Sequence, residues 1–282
     1  MYAATTPERK IQPFNNHPTR IAASSYLNTA PLIWSFLHGS RRHKVSIVTD
    51  TAPVRCADLL ARGEVEAALV PIIEYDRIPD ARLVPGVCVG SRSAVRSVVL
   101  VSKFADLNQV RAVALDEESR TSQVLIKIIF REFLKHEPKW QSFTPDLSEM
   151  LQTNDAALLI GDPAMTISSR DLHVFDLATL WRYHTGTGFV FAMWMALNSA
   201  AGQIAELNFA GARDEGLEHV NEIAEQNAPV LGLPKSELIT YLRENICFSL
   251  DDDLKTGLEL YLSLAHKHAL VSNKPNLIMM GE

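Results

Sequence analysis

Between residues 20 and 101 the chain alternates short apolar runs with stretches of helical spacing, and a cap or a breaker marks each change. Ile21, Ala22 and Ala23 form the first run. Pro31 then opens an apolar helical face of Leu32, Ile33, Trp34, Phe36 and Leu37. Residues 45–48 form the second run; Thr51 and Pro53 introduce a helix carrying Ala57, Leu59 and Leu60, and Gly63 closes it. Residues 67–70 read as the next strand, and Pro71 starts a short helical segment over 72–77. Short strands at 83–84 and 87–89 flank Pro85 and Gly86 before another strand at 98–101. Strand runs separated by helices predict a parallel α/β layer with the helices as crossovers.

A second block follows the same plan. Residues 112–115 read as a strand, and a helix over 123–136 buries Val124, Leu125, Ile128, Ile129 and Phe133. Further strands are predicted at 140–143, 156–160 and 174–175, with short helices from Pro145 and over 177–183. Residues 189–197, where Phe191, Met193 and Met195 alternate, read as a long strand able to cross between layers. From Ala200 onward the pattern is helical, over 204–226, 235–245 and 254–268. Gly211 and Gly216 are expected to shorten or bend the first of these, and Asp251 to Asp253 suit the start of the last. The predicted organisation is a loose tail over 1–19, one lobe built from 20–100 and 193–282, and a second from 101–192. The chain leaves the first lobe near 98–101 and returns near 189–197. Two crossings make a cleft with the strand ends of both lobes facing it, the expected place for a ligand and for hinge closure.

Composition narrows the partners. With a net charge of −6, nothing draws the chain as a whole to nucleic acid or to an anionic membrane. No apolar run reaches the length of a membrane span. The polar start, with Pro7, Pro13 and Pro18, lacks the apolar core of a secretory signal. Cys56, Cys88 and Cys247 are odd in number and widely spaced, with neither a metal box nor a disulfide framework, which points to a reducing compartment and a cytoplasmic location. Gly186 and Gly188 lack the third glycine and the context of a dinucleotide loop. His266 and His268 suit the negative end of the last helix.

Three polar corners would face the cleft. The first is Ser24 to Thr29, where Asn28 or Thr29 can cap the helix opened by Pro31. The second is Ser91 to Ser97, with Arg92 and Arg96. The third, Ser119, Arg120, Thr121 and Ser122, heads a helix; hydroxyls and free N–H groups there make either an anion site or an ordinary cap. Asp162, after the strand at 156–160, reads first as a helix cap and otherwise as a group that holds a serine or arginine in the cleft. No Ser-His-Asp order and no activated cysteine stands out. Hydroxyls, an amide and arginines suit holding a small polyanion better than attacking one. That inventory fits a solute-binding protein, or an enzyme whose substrate carries much of its own chemistry.

Seven stretches in order resemble the menaquinone-biosynthesis chorismate dehydratases of the futalosine route. They are Ser25-Tyr-Leu-Asn-Thr-Ala-Pro31, Gly63-Glu-Val-Glu-Ala-Ala-Leu-Val-Pro71 with Glu74-Tyr75, Val84-Pro-Gly-Val-Cys88, Val95-Arg-Ser-Val98, Ser119-Arg-Thr-Ser122, Leu159-Ile-Gly-Asp-Pro-Ala164 and Gly188-Phe-Val-Phe-Ala-Met-Trp194. The resemblance implies a type II periplasmic-binding-protein fold used as a cytosolic lyase. It implies conversion of chorismate to 3-[(1-carboxyvinyl)oxy]benzoate and water, with no cofactor and no metal. It singles out Asn28 and Ser97 as catalytic, with Ser25, Tyr26, Thr29, Arg96, Ser119, Arg120, Thr121, Ser122 and Asp162 around the substrate.

The substrate's chemistry bounds those roles. Loss of the C3 hydrogen and the C4 hydroxyl makes the ring aromatic, so the protein must hold the ring, let the proton go and help hydroxide leave. Asn28 is an amide and cannot serve as a base; Ser97 has no evident base partner. The expectation is therefore substrate-assisted catalysis, in which the enolpyruvyl carboxylate takes the C3 proton while Asn28 and Ser97 fix geometry. Two other readings share the fold: a non-catalytic small-anion binding protein, and the dihydroxynaphthoate synthase of the same route. The sequence does not give the oligomeric state.

Overall fold

The computed structural model describes residues 18–168, 171–272 and 276–281. The expected tail lies outside them up to residue 17, and Thr19 already belongs to the first strand. The first half runs β1 (Thr19–Ser24), a 3-10 turn Leu27–Thr29, α1 (Ala30–Leu37), β2 (Val45–Asp50), α2 (Pro53–Ala61), β3 (Ala67–Pro71), a 3-10 turn Ile72–Asp76, β4 (Ala81–Ser91), β5 (Val98–Ser102) and β6 (Ala112–Asp116). Next come α3 (Arg120–Ile128), continued by a π turn Ile129–Phe133, β7 (Lys139–Phe143), α4 (Leu147–Thr153), β8 (Ala156–Ile160), α5 (Gly161–Met165), β9 (His173–Asp176), α6 (Leu177–Thr185) and β10 (Phe189–Leu197). The last part holds α7 (Ala201–Leu207), α8 (Phe209–Glu218), α9 (Val220–Leu231), α10 (Lys235–Thr240) with a π turn Tyr241–Asn245, and α11 (Asp252–Lys267).

The strands form two five-stranded sheets, ordered β2-β1-β3-β10-β4 and β7-β6-β8-β5-β9. Each contains a parallel trio, β2-β1-β3 or β7-β6-β8. The expected all-parallel layer is thus a mixed sheet in each lobe. The reason lies in the crossings: β5 is the first strand after the chain leaves the first lobe and β10 the first after it returns. Each inserts beside the trio running against it. Strand β10 does not pass between layers, since it pairs only with β3 and β4. The expected boundaries at 100 and 193 fall inside β5 and β10, whose pairing keeps the first whole in one sheet and the second whole in the other.

The inner strands β3, β6 and β8 are buried, which is why their sequences are continuous short apolar runs rather than alternating ones. The long predicted helix over 204–226 is three helices, broken at Asn208 and His219. Gly216 lies two residues before the end of α8. A Cβ there would stand 1.9 Å from the Pro31 carbonyl oxygen, so glycine is what lets α8 lie against the start of α1. The C-terminal helical tail, α7 to α11, also joins the lobes. In α11, the Tyr261 hydroxyl donates to the Thr121 carbonyl at 3.0 Å, and Lys267 reaches Glu132 at 2.8 Å. Among the described residues no helix is long and apolar enough to cross a membrane.

Candidate active site between the lobes

The carboxyl ends of β1 and β6, and the loop before β5, face each other across a cavity of about 580 Å³ that includes its mouth. Its apolar wall is Leu69, Val89, Val95, Val98, Ile160 and Phe191. Most of its polar groups come from two of the three predicted corners, Ser24, Tyr26, Asn28 and Thr29 on one side and Ser119 to Ser122 on the other, with Glu118 beside the latter.

At the first corner the expected cap does not form. Thr29 precedes α1 without capping it; its hydroxyl turns back to the carbonyls of Ser24 and Tyr26, at 2.6 and 2.7 Å. That bond tightens the strand-to-helix turn and leaves Asn28 facing the cavity. Ser25 is exposed and bonds the Asp50 carbonyl at 3.3 Å, so it lies outside the cavity wall. The Tyr26 ring lies across Gly161 of the other lobe, and a Cβ at Gly161 would stand 2.8 Å from it. Burial pushes the Tyr26 phenol well above its ordinary range, and Asp116, Glu118 and Asp162 push it further, so it stays protonated.

Asp162 does not cap α5 either. Its Oδ1 accepts from the backbone N–H of Leu27 at 3.0 Å, a bond from lobe to lobe. The second expectation, that it holds a serine or an arginine, also gives way to this backbone contact. Burial raises its pKa, and the Leu27 N–H partly offsets that. Two further contacts close the cleft: the Thr121 hydroxyl accepts from Ile73 N–H at 3.4 Å, and Arg120 stands 3.3 Å from Glu74.

The third corner is the most complete. Helix α3 begins at Arg120, three residues earlier than its apolar spacing predicts, so its free N–H groups sit at the cavity. Ser119 precedes it and makes no cap bond. Its Oγ is buried, lines the cavity side and has no hydrogen-bond partner among the described residues. A buried hydroxyl without a partner at a helix N-terminus is a donor waiting for an acceptor from outside. Arg120 lines the same space, but Glu74 holds its guanidinium.

The second corner contributes walls rather than charge. Arg92 pairs with Asp251 and Arg96 with Glu237, both from the tail, so neither arginine reaches the cavity. Arg96 is the centre of a tight turn with φ of 63°, in which Ser97 N–H donates to the Val95 carbonyl at 2.8 Å. The Arg96 N–H donates to Asp176 at 2.6 Å and fixes that turn. Ser97 is fully buried behind the wall, where its Oγ accepts from the Tyr241 hydroxyl at 2.8 Å. Sequence reasoning missed Tyr241 altogether, along with Phe191 and Glu118. Phe191 lay inside a stretch that carried the resemblance, whereas Tyr241 gave no local signal.

The cavity can therefore hold a carboxylate at the α3 head, orient a polar group with Asn28 and cover an apolar ring. Carboxylates also stand near: burial lifts Asp116 to about 6 and raises Glu118.

Two-lobed proteins with a ligand cleft share this architecture. The periplasmic aliphatic sulphonate binding protein SsuA from Escherichia coli superposes with a TM-score of 0.64 at 17% identity, over 94% of this chain and 94% of that one. A protein from Archaeoglobus fulgidus gives 0.71 at 16% identity, over 91% and 100%. The fold is that of the periplasmic binding proteins. The family described as menaquinone biosynthesis matches residues 19–267, and the chain belongs to it. A chorismate dehydratase from Thermus thermophilus is 31% identical over 263 residues, 86% of this chain and 94% of that protein.

Proposed function

We propose that the chain is a chorismate dehydratase, a lyase that converts chorismate to 3-[(1-carboxyvinyl)oxy]benzoate and water in the cytoplasm on the futalosine route to menaquinone. The observation that carries the reading is the head of α3, where a buried, unpartnered Ser119 hydroxyl and free backbone N–H groups face Asn28 across an apolar cavity. Chorismate has the matching parts: carboxylates, a ring hydroxyl and a flat apolar face.

In this reading the α3 head, with Thr121 and Ser122, receives a carboxylate, and Phe191, Leu69 and Val89 cover the ring. The enolpyruvyl carboxylate takes the C3 proton, and Asn28 donates toward the departing C4 hydroxyl. No cofactor enters. Confinement in a closed cleft contributes about 7–11 kcal/mol in the best-aligned cases, enough to replace a dedicated base. Ser97 acts from behind the wall rather than on the substrate, and Ser25 and Arg96 take no part, since their side chains are turned to other partners. The test is Asn28→Ala: chorismate turnover is expected to fall at least a hundredfold with the cleft still able to bind, and undiminished turnover would remove Asn28 from the site.

A further inference from the structure

The tail touches the second polar corner along one stripe. Glu237 on α10 pairs with Arg96; the Tyr241 hydroxyl donates to Ser97 Oγ at 2.8 Å; Asn245 donates its side-chain N–H to the Ala94 carbonyl at 3.0 Å. These residues are spaced by four, and the π turn over Tyr241–Asn245 keeps the later two on the face that the first begins. Wide turns of this kind often re-aim a side chain at a functional site. Here the re-aimed group is Tyr241, which is fully buried, as is Ser97. The Asn28 side chain is near enough to the same phenol to lower its pKa against burial. One hydroxyl thus bonds Ser97 behind the cavity wall and lies near Asn28, which lines the cavity.

We infer that Tyr241 is a positioning residue for the cleft reaction, setting both the direction of the Ser97 proton and the face that the Asn28 amide turns to the substrate. The inference rests on the dehydratase reading. The phenol has one proton, and the geometry gives it to Ser97. Ser97 must then point its own proton elsewhere, and the phenol oxygen keeps a lone pair that the Asn28 amide can use. An amide held by its N–H₂ end presents a defined orientation, where a free amide can flip. The frame is rigid: the Ser97 carbonyl accepts from Gly161 N–H at 2.8 Å, tying this network to the cavity wall. Burial keeps the phenol protonated at neutral pH, so it orients and does not act as a base.

Tyr241→Phe removes only the hydroxyl. On chorismate, kcat is expected to fall about tenfold to a hundredfold with KM within about threefold of the parent, because geometry changes and the carboxylate site does not. Ser97→Ala cuts the same bond from its other end; it should show a similar loss, and it serves alone if Tyr241→Phe does not fold. The double variant should be no slower than the slower single one. Parent activity with Tyr241→Phe at an unchanged kcat, or fully additive losses, overturns the inference and leaves the dehydratase reading standing. A parent protein that binds chorismate without turning it over overturns both.

Discussion

Gly161 is the residue on which closure of the lobes can be tested most sharply. Its φ is +66°, and a Cβ there would stand 2.8 Å from Cε1 and Cζ of Tyr26 across the cleft. Gly161→Ala carries two separable costs. Holding alanine in the left-handed region costs about 1–2 kcal/mol, reduced by about 0.4–1 kcal/mol because alanine also restricts the unfolded chain. That part belongs to one lobe and should show as a small loss in urea unfolding without ligand. The second cost exists only when the lobes meet. Carbon contacts settle near 3.5–4.0 Å, so the ring must withdraw by roughly 0.7 Å or more. The neighbouring Leu27 N–H to Asp162 bond, now 3.0 Å, then stretches or breaks. A hydrogen bond to a charged group contributes about 1.5–3 kcal/mol, so closure should weaken by at least about 1.4 kcal/mol. That is a tenfold loss of affinity for chorismate or its product by titration calorimetry. Tyr26→Ala in the same chain should remove the part of the affinity loss that comes from the clash. Unaltered affinity in Gly161→Ala would refute the claim that Tyr26 and Gly161 meet in the ligand-bound form.

Other consequences follow from burial and packing. Asp116 is lifted from 3.8 to about 6, chiefly by burial, so its contribution to stability is full below pH 4 and is lost as pH rises through 6. The gap corresponds to about 3 kcal/mol. Asp116→Asn should flatten the fall in unfolding free energy between pH 4 and 7, and an identical pH slope in the two proteins would contradict this. Gly216→Ala sets a Cβ 1.9 Å from the Pro31 carbonyl and should lower stability by about 1–3 kcal/mol in urea as α8 moves off α1; a change under about 0.5 kcal/mol would show that the helices do not meet there. Ser119→Ala removes a hydroxyl with no partner among the described residues, so the free protein should keep its stability. Affinity for the dianionic substrate should fall about fivefold or more, and a loss of stability without a loss of affinity would argue for a structural role.

The strands and short helices were legible because each is a local pattern: the runs at β3 and β8 are apolar throughout because sheet and helices cover both sides. The antiparallel insertion of β10 was not legible, since its neighbours β3 and β4 lie about a hundred residues earlier in the chain. The site divides along the same line. The α3 head is a contiguous Ser-Arg-Thr-Ser run and could be read directly. Arg92 and Arg96 read as anion ligands because they are basic residues in a polar turn. Their carboxylate partners, Asp251 and Glu237, arrive from the tail 159 and 141 positions away. Asp162 reads as a cap by the same local logic, and only the closed cleft brings Leu27 to it. Tyr241 sits in a stretch whose local pattern is that of any amphipathic helix. Its meaning comes from Ser97, 144 positions earlier.

The central claim is that this cleft dehydrates chorismate with no more than what the protein and the substrate supply. The most direct measurement is to incubate the purified chain with chorismate, without added metal or nucleotide, and to follow both species by mass spectrometry. The account predicts steady conversion to a product lighter by one water that co-elutes with 3-[(1-carboxyvinyl)oxy]benzoate. Chorismate recovered unchanged from folded protein would contradict it.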